Sequence, residues 1–178
     1  MADNATVNGI TVATTEVGGA HYQRVRAGRN QLPISVQSAG LTTATTAYTA
    51  GDQVGTLFTF ANAALATGGT GRITKVRLID AADIIGSYDL AVFNTSVTLA
   101  SDNAAFSVSD GDSLLCEAVI PLTGAYDLGN NHFAQALNIS VPYTCAATSL
   151  FGALICREGH TFFGAVGNLQ LVLDVERD

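Results

Sequence analysis

Apolar and polar residues alternate with a period of two along several stretches of the chain, which is the pattern of half-buried β-strands. Two such runs, 75–78 and 88–92, occupy the central region. The segment 80–87 between them is too short for a crossover helix, so we expect the two runs to pair as an antiparallel hairpin. The segment 102–106, with the sequence DNAAF, is typical of a single helical turn capped by its aspartate.

Further runs of the same kind predict six more strands. They cover residues 34–36, 53–60, 114–122, 137–143, 149–157 and 169–175. The run 149–157 is apolar on both faces, so we expect it to lie centrally in a sandwich or against a partner subunit. Pro121 in the run 114–122 predicts an edge strand or a bulge.

About eight strands and no amphipathic helix longer than two turns predict an all-β protein with an antiparallel β-sandwich. A jelly roll is the expected form, because two sheets of four strands hide most of the edges that eight strands would expose. Spacing along the chain does not define the strand order.

The first 33 residues lack sustained periodicity and carry few apolar side chains. We interpret residues 1–33 as an extended N-terminal arm that is ordered when laid on another surface, and residues 34–178 as the β-sandwich domain. The alternative is that Tyr22, Val25 and the arginines near them form a first edge strand of the body.

The composition is that of a folded domain with an uneven charge. Of 178 residues, 48% are hydrophobic and 13% charged, and the formal charge is −7. This acidity argues against a general nucleic-acid binder, which needs a basic surface to neutralise phosphates. The charge is +1 over Met1 to Ser35 and −8 over the remainder, which predicts different surroundings for the head and the body of the chain.

Cysteines and targeting signals favour a reducing compartment. Cys116, Cys145 and Cys156 lie in apolar runs and are interpreted as small buried hydrophobes. Their spacing does not match a structural zinc site. No signal peptide and no apolar run long enough to span a bilayer is found, so we expect synthesis in a cytosol and no membrane partner.

A search for catalytic chemistry finds no convergent set of groups. His21, His132 and His160 lie in loop-like settings and are interpreted as exposed or hydrogen-bonded structural residues. The run 110–112 (DGD) lacks the ligand alternation and closing glutamate of a calcium loop. We therefore predict a protein that is not an enzyme and that needs no metal or cofactor.

Two segments carry a resemblance to known proteins. The segment 17–34, VGGAHYQRVRAGRNQLPI, resembles a head segment that recurs in structural proteins of tailed bacteriophages. The segment 102–112, DNAAFSVSDGD, resembles a loop of a phage virion family. The resemblance implies a capsid decoration, or cement, protein that is made in the bacterial cytoplasm. It would bind the outer surface of the assembled head and stabilise contacts between major capsid protein subunits.

The alternative within the same resemblance is a component of the tail or of a receptor-binding fibre. Such a component would carry a carbohydrate-binding β-sandwich. Sugar sites generally display exposed aromatic side chains, and the absence of tryptophan weakens this alternative.

Two groups of residues are predicted to make contacts with other subunits. Residues expected to bind the capsid are those of the basic arm: His21, Tyr22, Arg24, Arg26 and Arg29. Residues expected at an oligomer interface are apolar: Phe151, Ile155, Phe162 and Phe163. Phe162 and Phe163 could instead fill the core or anchor a turn. The expected oligomer is a homotrimer, because capsid lattices offer local threefold positions.

Overall fold

The structure, a computed structural model, describes residues 4–7, 10–17, 20–23, 33–38, 41, 43–81, 86–123, 126–160 and 169–178. The chain divides into two compact units, Met1–Asn30 and Gln31–Asp178. The expected organisation into an extended arm (1–33) and a sandwich domain (34–178) stays a prediction. We call the second unit the body.

The first unit contains three short antiparallel strands in the order β1-β2-β3. They are β1 (Asn4–Val7), β2 (Ile10–Val17) and β3 (Ala20–Gln23). Two residues separate each strand from the next, and the Asn-Gly and Gly-Gly pairs at these positions are favoured in two-residue hairpin connections. Tyr22 belongs to β3 and pairs with Thr15 of β2. The docking of this segment on another surface stays a prediction.

The body contains ten strands and one short helix among its described residues. In chain order they are β4 (Ile34–Gln37), β5 (Gln53–Phe60), β6 (Thr70–Asp80), β7 (Tyr88–Phe93), α1 (Asp110–Ser113), β8 (Cys116–Leu122), β9 (Tyr126–Asp127), β10 (His132–Ala136), β11 (Val141–Thr144), β12 (Leu150–Cys156) and β13 (Leu169–Arg177).

These strands form two antiparallel sheets that pack together, which confirms the predicted all-β sandwich. The six-stranded sheet has the order β4-β13-β6-β10-β9, with β11 also paired to β6. The four-stranded sheet has the order β5-β12-β7-β8. The pairs are nested along the chain: β4 with β13, β5 with β12, β6 with β10 and β11, and β7 with β8.

The main core lies between the two sheets and is built from the inward-facing alternate residues. Leu78 and Leu171 contribute from the six-stranded sheet, and Phe60, Leu90 and Leu154 from the four-stranded sheet. Each is almost completely buried. Fully burying one such side chain contributes roughly 1.5–3 kcal/mol, so this layer provides much of the driving force for folding.

A second core covers the outer face of the four-stranded sheet. The long connection between β7 and β8, residues 94–115, crosses that face, and we call it the strap. Its apolar residues pack on outward-facing residues of β7 and β12. The strap contributes Val97, Leu99, Phe106, Val108 and Leu115, and the two strands contribute Ala91, Phe93, Phe151, Ala153 and Ile155. The central position of β12 confirms the prediction for the doubly apolar run.

The predicted hairpin between the runs 75–78 and 88–92 is wrong. The first run belongs to β6, which pairs with β10, β11 and β13. The second belongs to β7, which pairs with β8 and β12 in the other sheet. Seven residues span up to roughly 23 Å, more than the distance of about 10 Å between packed sheets. The length of this connection therefore does not distinguish a hairpin from a crossing between sheets.

Two local predictions also differ from the structure. The segment 102–106 forms a turn and a β-bridge, because Asn103 takes a positive φ of 61° and Ala105 pairs with Asp52. The helical turn lies later, at α1, where the Ser109 hydroxyl accepts from the Asp112 amide. The predicted strand 137–143 is shorter in the structure, because only its last three residues lie in a strand, β11, and residues 137–140 connect β10 to β11 with Asn138 at a φ of 55°.

Candidate interaction surface

The predicted arm residues fall in the first unit. His21 and Tyr22 lie in β3, opposite Glu16 and Thr15 of β2. The other arm residues lie outside the described part of the chain: Arg24, Arg26 and Arg29. The joint action of these five side chains on a capsid stays a prediction.

The predicted interface residues on β12 are covered by their own chain. Ile155 is only 4% exposed, and Phe151 is half-buried beneath the strap. The second apolar face of β12 is thus explained within one subunit. Phe162 and Phe163 lie outside the described residues.

The DNAAF segment pairs with the start of β5, at the edge of the four-stranded sheet. The Asn103 amide donates to the Gln53 carbonyl, the Gln53 amide donates to the Ala104 carbonyl, and the Phe106 amide donates to the Gly51 carbonyl, each at 2.9 Å. This pairing satisfies backbone groups of β5 that would otherwise form part of an open edge. The motif behind the resemblance therefore has a structural role in this chain.

One carboxylate ties the strap to the rest of the body. Asp102 Oδ1 accepts from the Tyr48 hydroxyl at 2.7 Å and from the Gly55 amide at 2.6 Å. The Tyr48 oxygen in turn accepts from the Ala44 amide at 2.7 Å. Burial and the hydrogen bond to Asp102 raise the pKa of Tyr48. The phenol therefore stays protonated and continues to donate to the strap.

A group of three side chains, Cys156, His160 and Tyr88, lies next to Tyr48. The Cys156 sulfur is 3.7 Å from His160 Nε2, and the Tyr88 hydroxyl shares a hydrogen bond of 3.0 Å with the same nitrogen. Burial raises the pKa of the Cys156 thiol and lowers the pKa of the His160 imidazole. Both groups are therefore held neutral, whereas a nucleophilic cysteine requires a thiolate. The group serves as a packed polar connection between β7 and β12. In the sequence, the Cys-x-x-x-His spacing of Cys156 and His160 was the pattern that could have indicated this group.

The outer face of the six-stranded sheet, which we call the open face, is different. Its side chains project from five strands of that sheet. They are Ser35, Gln37, Arg72, Lys75, Arg77, Ile79, Tyr126, Phe133, Gln135, Gln170, Val172, Asp174 and Glu176. Among the described residues, no cluster of buried apolar side chains lies on this face.

An aromatic row crosses one end of the open face. Tyr126, Phe133, Ile79 and Gln170 are successive cross-strand partners on β9, β10, β6 and β13. Tyr126 is 58% exposed, and the other three are partly exposed. The row therefore places two neighbouring aromatic side chains and a partly exposed isoleucine at one end of the open face.

Basic side chains follow β6 along the open face. Arg72, Lys75 and Arg77 alternate with inward residues, and Arg77 Nη2 forms an ion pair of 2.8 Å with Asp174 Oδ1. With Glu176 as the second acidic group, the open face has a formal charge of +1, whereas the rest of the body has −9. In the sequence, four of the five basic residues of the body lie within β6 and β13. This concentration could have indicated a basic surface, but the sequence analysis did not use it.

Two other classes of site were sought within the described ranges. No group of three or more His, Cys, Asp or Glu residues that could hold a metal ion occurs among them. No helix in the same ranges has the length and apolar character of a membrane span. The three cysteines are all free thiols, with Cys145 and Cys156 buried and Cys116 partly buried.

The chain was compared with known proteins in three ways. No protein-family model matches the sequence, and neither the curated proteins nor the solved structures gave a match.

Proposed function

We propose that this protein is a capsid decoration protein of a tailed bacteriophage. It binds the outer surface of the assembled head and stabilises contacts between major capsid protein subunits. The observation that carries the proposal is the division into two units of opposite formal charge, +1 in Met1–Asn30 and −8 in Gln31–Asp178. A small basic unit joined to an acidic sandwich suits a protein that reaches across an acidic seam while its body lies on the shell. The resemblance of segments 17–34 and 102–112 to phage virion proteins points the same way.

The strand pairing supports a jelly roll as the form of the body. In a jelly roll one long antiparallel hairpin is folded into two sheets, so that strand pairs are nested along the chain. The four nested pairs from β4·β13 to β7·β8 have this arrangement. The short strands β9, β10 and β11 together take the place of one long strand beside β6.

Self-association is the second part of the proposal. The protein acts as a homotrimer at local threefold positions of the shell, with the Phe162-Phe163 segment at the contact. Repetition by symmetry then converts weak contacts into firm attachment, which resists the pressure of the packaged DNA. A purified protein that is monomeric both in solution and on the head would contradict this part.

The direct test is binding to heads that lack the protein. Full-length protein and a variant without residues 1–30 are mixed with such heads, and bound copies are counted by sedimentation and mass analysis. We expect full-length protein to saturate at a fixed stoichiometry and the truncated protein to bind far less. If full-length protein does not bind, the proposed function is wrong.

The open face favours one other candidate, a carbohydrate-binding tail or fibre component. An exposed tyrosine beside a phenylalanine, with Gln135 and Gln170 near them, combines the stacking and amide groups that sugars use. A glycan array separates the two candidates, because a decoration protein binds nothing on it. Glycan binding that is lost on Tyr126→Ala, together with failure to bind heads, would establish the second candidate.

A further inference from the structure

We infer that the open face is the surface by which the body docks on an acidic protein surface. This inference rests on the proposed function, under which that surface belongs to the capsid shell. It adds an orientation for the body: the six-stranded sheet faces the shell, and the strap faces away from it.

The first argument is the contrast in cover between the two sheets. The four-stranded sheet uses its outer face internally, because the strap packs on Ala91, Phe93 and Ile155. The six-stranded sheet carries mixed side chains at the corresponding positions, mostly polar but with Ile79, Phe133 and Val172 among them, and none of the described segments forms a core on them. Of the two outer sheet faces, the open face is the one on which no described segment of the body forms a core, so it is the face that we expect a partner to cover.

The second argument is charge complementarity. Arg72, Lys75 and Arg77 give the open face a formal charge of +1, although the rest of the body has −9. Asp174 pairs with Arg77, whereas Arg72 donates to the neutral Ser140 hydroxyl and lies opposite Glu176. Arg72 and Lys75 are therefore the two cations of this face that we expect to meet a carboxylate outside the chain. An acidic body is repelled by an acidic partner everywhere except at such a face, so the charges fix the docking orientation.

The third argument is size and chemistry. The five strands β4, β13, β6, β10 and β9 contain 4, 9, 11, 5 and 2 residues. At about 3.3 Å per residue and about 4.8 Å between strands they make a face of about 500 Å², more than half of one side of a standard interface. Each partner in a standard protein interface buries about 800 Å². Tyr126 at one end of this face supplies the aromatic group that interfaces are enriched in.

The experiment uses two full-length variants of equal formal charge, −9. The test variant is Arg72→Gln with Lys75→Gln on the open face. The control is Leu114→Glu with Val119→Glu, at positions on the strap side that are 85% and 53% exposed. Binding of each to heads that lack the protein is titrated, and unfolding midpoints confirm that both variants fold.

We expect the test variant to bind at least about tenfold more weakly than the wild type, a loss of about 1.4 kcal/mol, and the control to bind as the wild type does. Wild-type binding should also weaken as the salt concentration rises, since screening shortens the reach of these charges. This second readout needs no variant.

Different outcomes separate failure of the inference from failure of the proposed function. If the wild type binds heads and the test variant binds equally well, or if binding does not depend on salt, the inference is overturned and the function stands. If the wild type does not bind heads, both the inference and the proposed function are wrong. A wild-type oligomer that the test variant dissociates would assign the open face to a second copy of the chain and overturn the docking role. If the wild type binds a glycan and the test variant does not, the open face is a sugar-binding surface, and the docking role is overturned in the same way.

Discussion

The outer faces of the two sheets are occupied in different ways. On the four-stranded sheet, the strap forms a second core with β7 and β12, and the DNAAF segment pairs with the start of β5. On the six-stranded sheet, the outer face carries charged, amide and partly exposed aromatic side chains. The central strands β7 and β12 of one sheet are therefore covered on both faces, whereas the other sheet has one face in the core and an outer face on which no described segment forms a core.

This difference separates stability from contact with other molecules. Residues on the outer face of the four-stranded sheet are core residues, so changing them should affect folding. Residues on the open face contribute less to folding, so they can be selected for what they bind. The same residue type should therefore behave differently at equivalent positions on the two sheets.

The largest expected effect is that of Ile155→Ala compared with Ile79→Ala. Both isoleucines point outward from a central strand, but Ile155 is buried beneath the strap and Ile79 is partly exposed. We expect Ile155→Ala to lower the free energy of unfolding by about 4 kcal/mol and Ile79→Ala by about 1 kcal/mol. Urea denaturation of the two variants measures the difference. Equal losses would mean that the strap does not act as a core layer.

The next effect compares two aspartates that each accept two hydrogen bonds. Asp102→Ala leaves the buried Tyr48 hydroxyl and the Gly55 amide without this acceptor, so we expect a loss of about 3 kcal/mol. Asp174→Ala removes bonds from Arg77 and Ser35 on the open face, where water replaces them, so we expect a loss below about 1 kcal/mol. Thermal or chemical unfolding of both variants tests the ranking, and a reversed order would contradict it.

The smallest expected effect is a pH dependence located on the four-stranded sheet. Burial lowers the folded pKa of His160 below its unfolded value of about 6.5. The unfolded chain therefore binds more protons than the folded chain, and stability decreases as the pH falls below about 6.5. The described groups near the imidazole include Tyr48, Tyr88, Cys156 and Glu158.

A His160→Gln variant should be less stable at neutral pH but should vary less between pH 7 and pH 5 than the wild type. Free energies of unfolding measured across that range provide the test. A parallel decline in both proteins would assign the acid sensitivity to other groups.

The individual strands were largely predictable from the sequence. The period-two pattern predicted β5 and β13 almost to their ends, because their inward residues are regularly apolar. It also identified β12 as doubly covered. The pairing of β6 with β7 was predicted wrongly, since alternation shows which side of a strand is buried but not which sheet the strand joins.

The strap and the open face were not predictable in the same way. The apolar residues of the strap, such as Val97 and Phe106, have no regular spacing, so only their contacts with β12 reveal them as a core layer. The open face consists of the outward half of the alternation, which is polar for the most part, and its charges converge only when β6 and β13 lie side by side. Both features depend on contacts between distant segments.

The positions of β12 and β13 determine when the body can fold during its synthesis. Each is the second strand of its sheet order, between β5 and β7 or between β4 and β6, yet both come after residue 149 in the chain. At about 5–20 residues per second, β4 waits on the order of ten seconds for β13 to leave the ribosome. During that time the early strands have unpaired edges and exposed apolar faces, so we expect the nascent chain to depend on chaperones until both late strands have inserted.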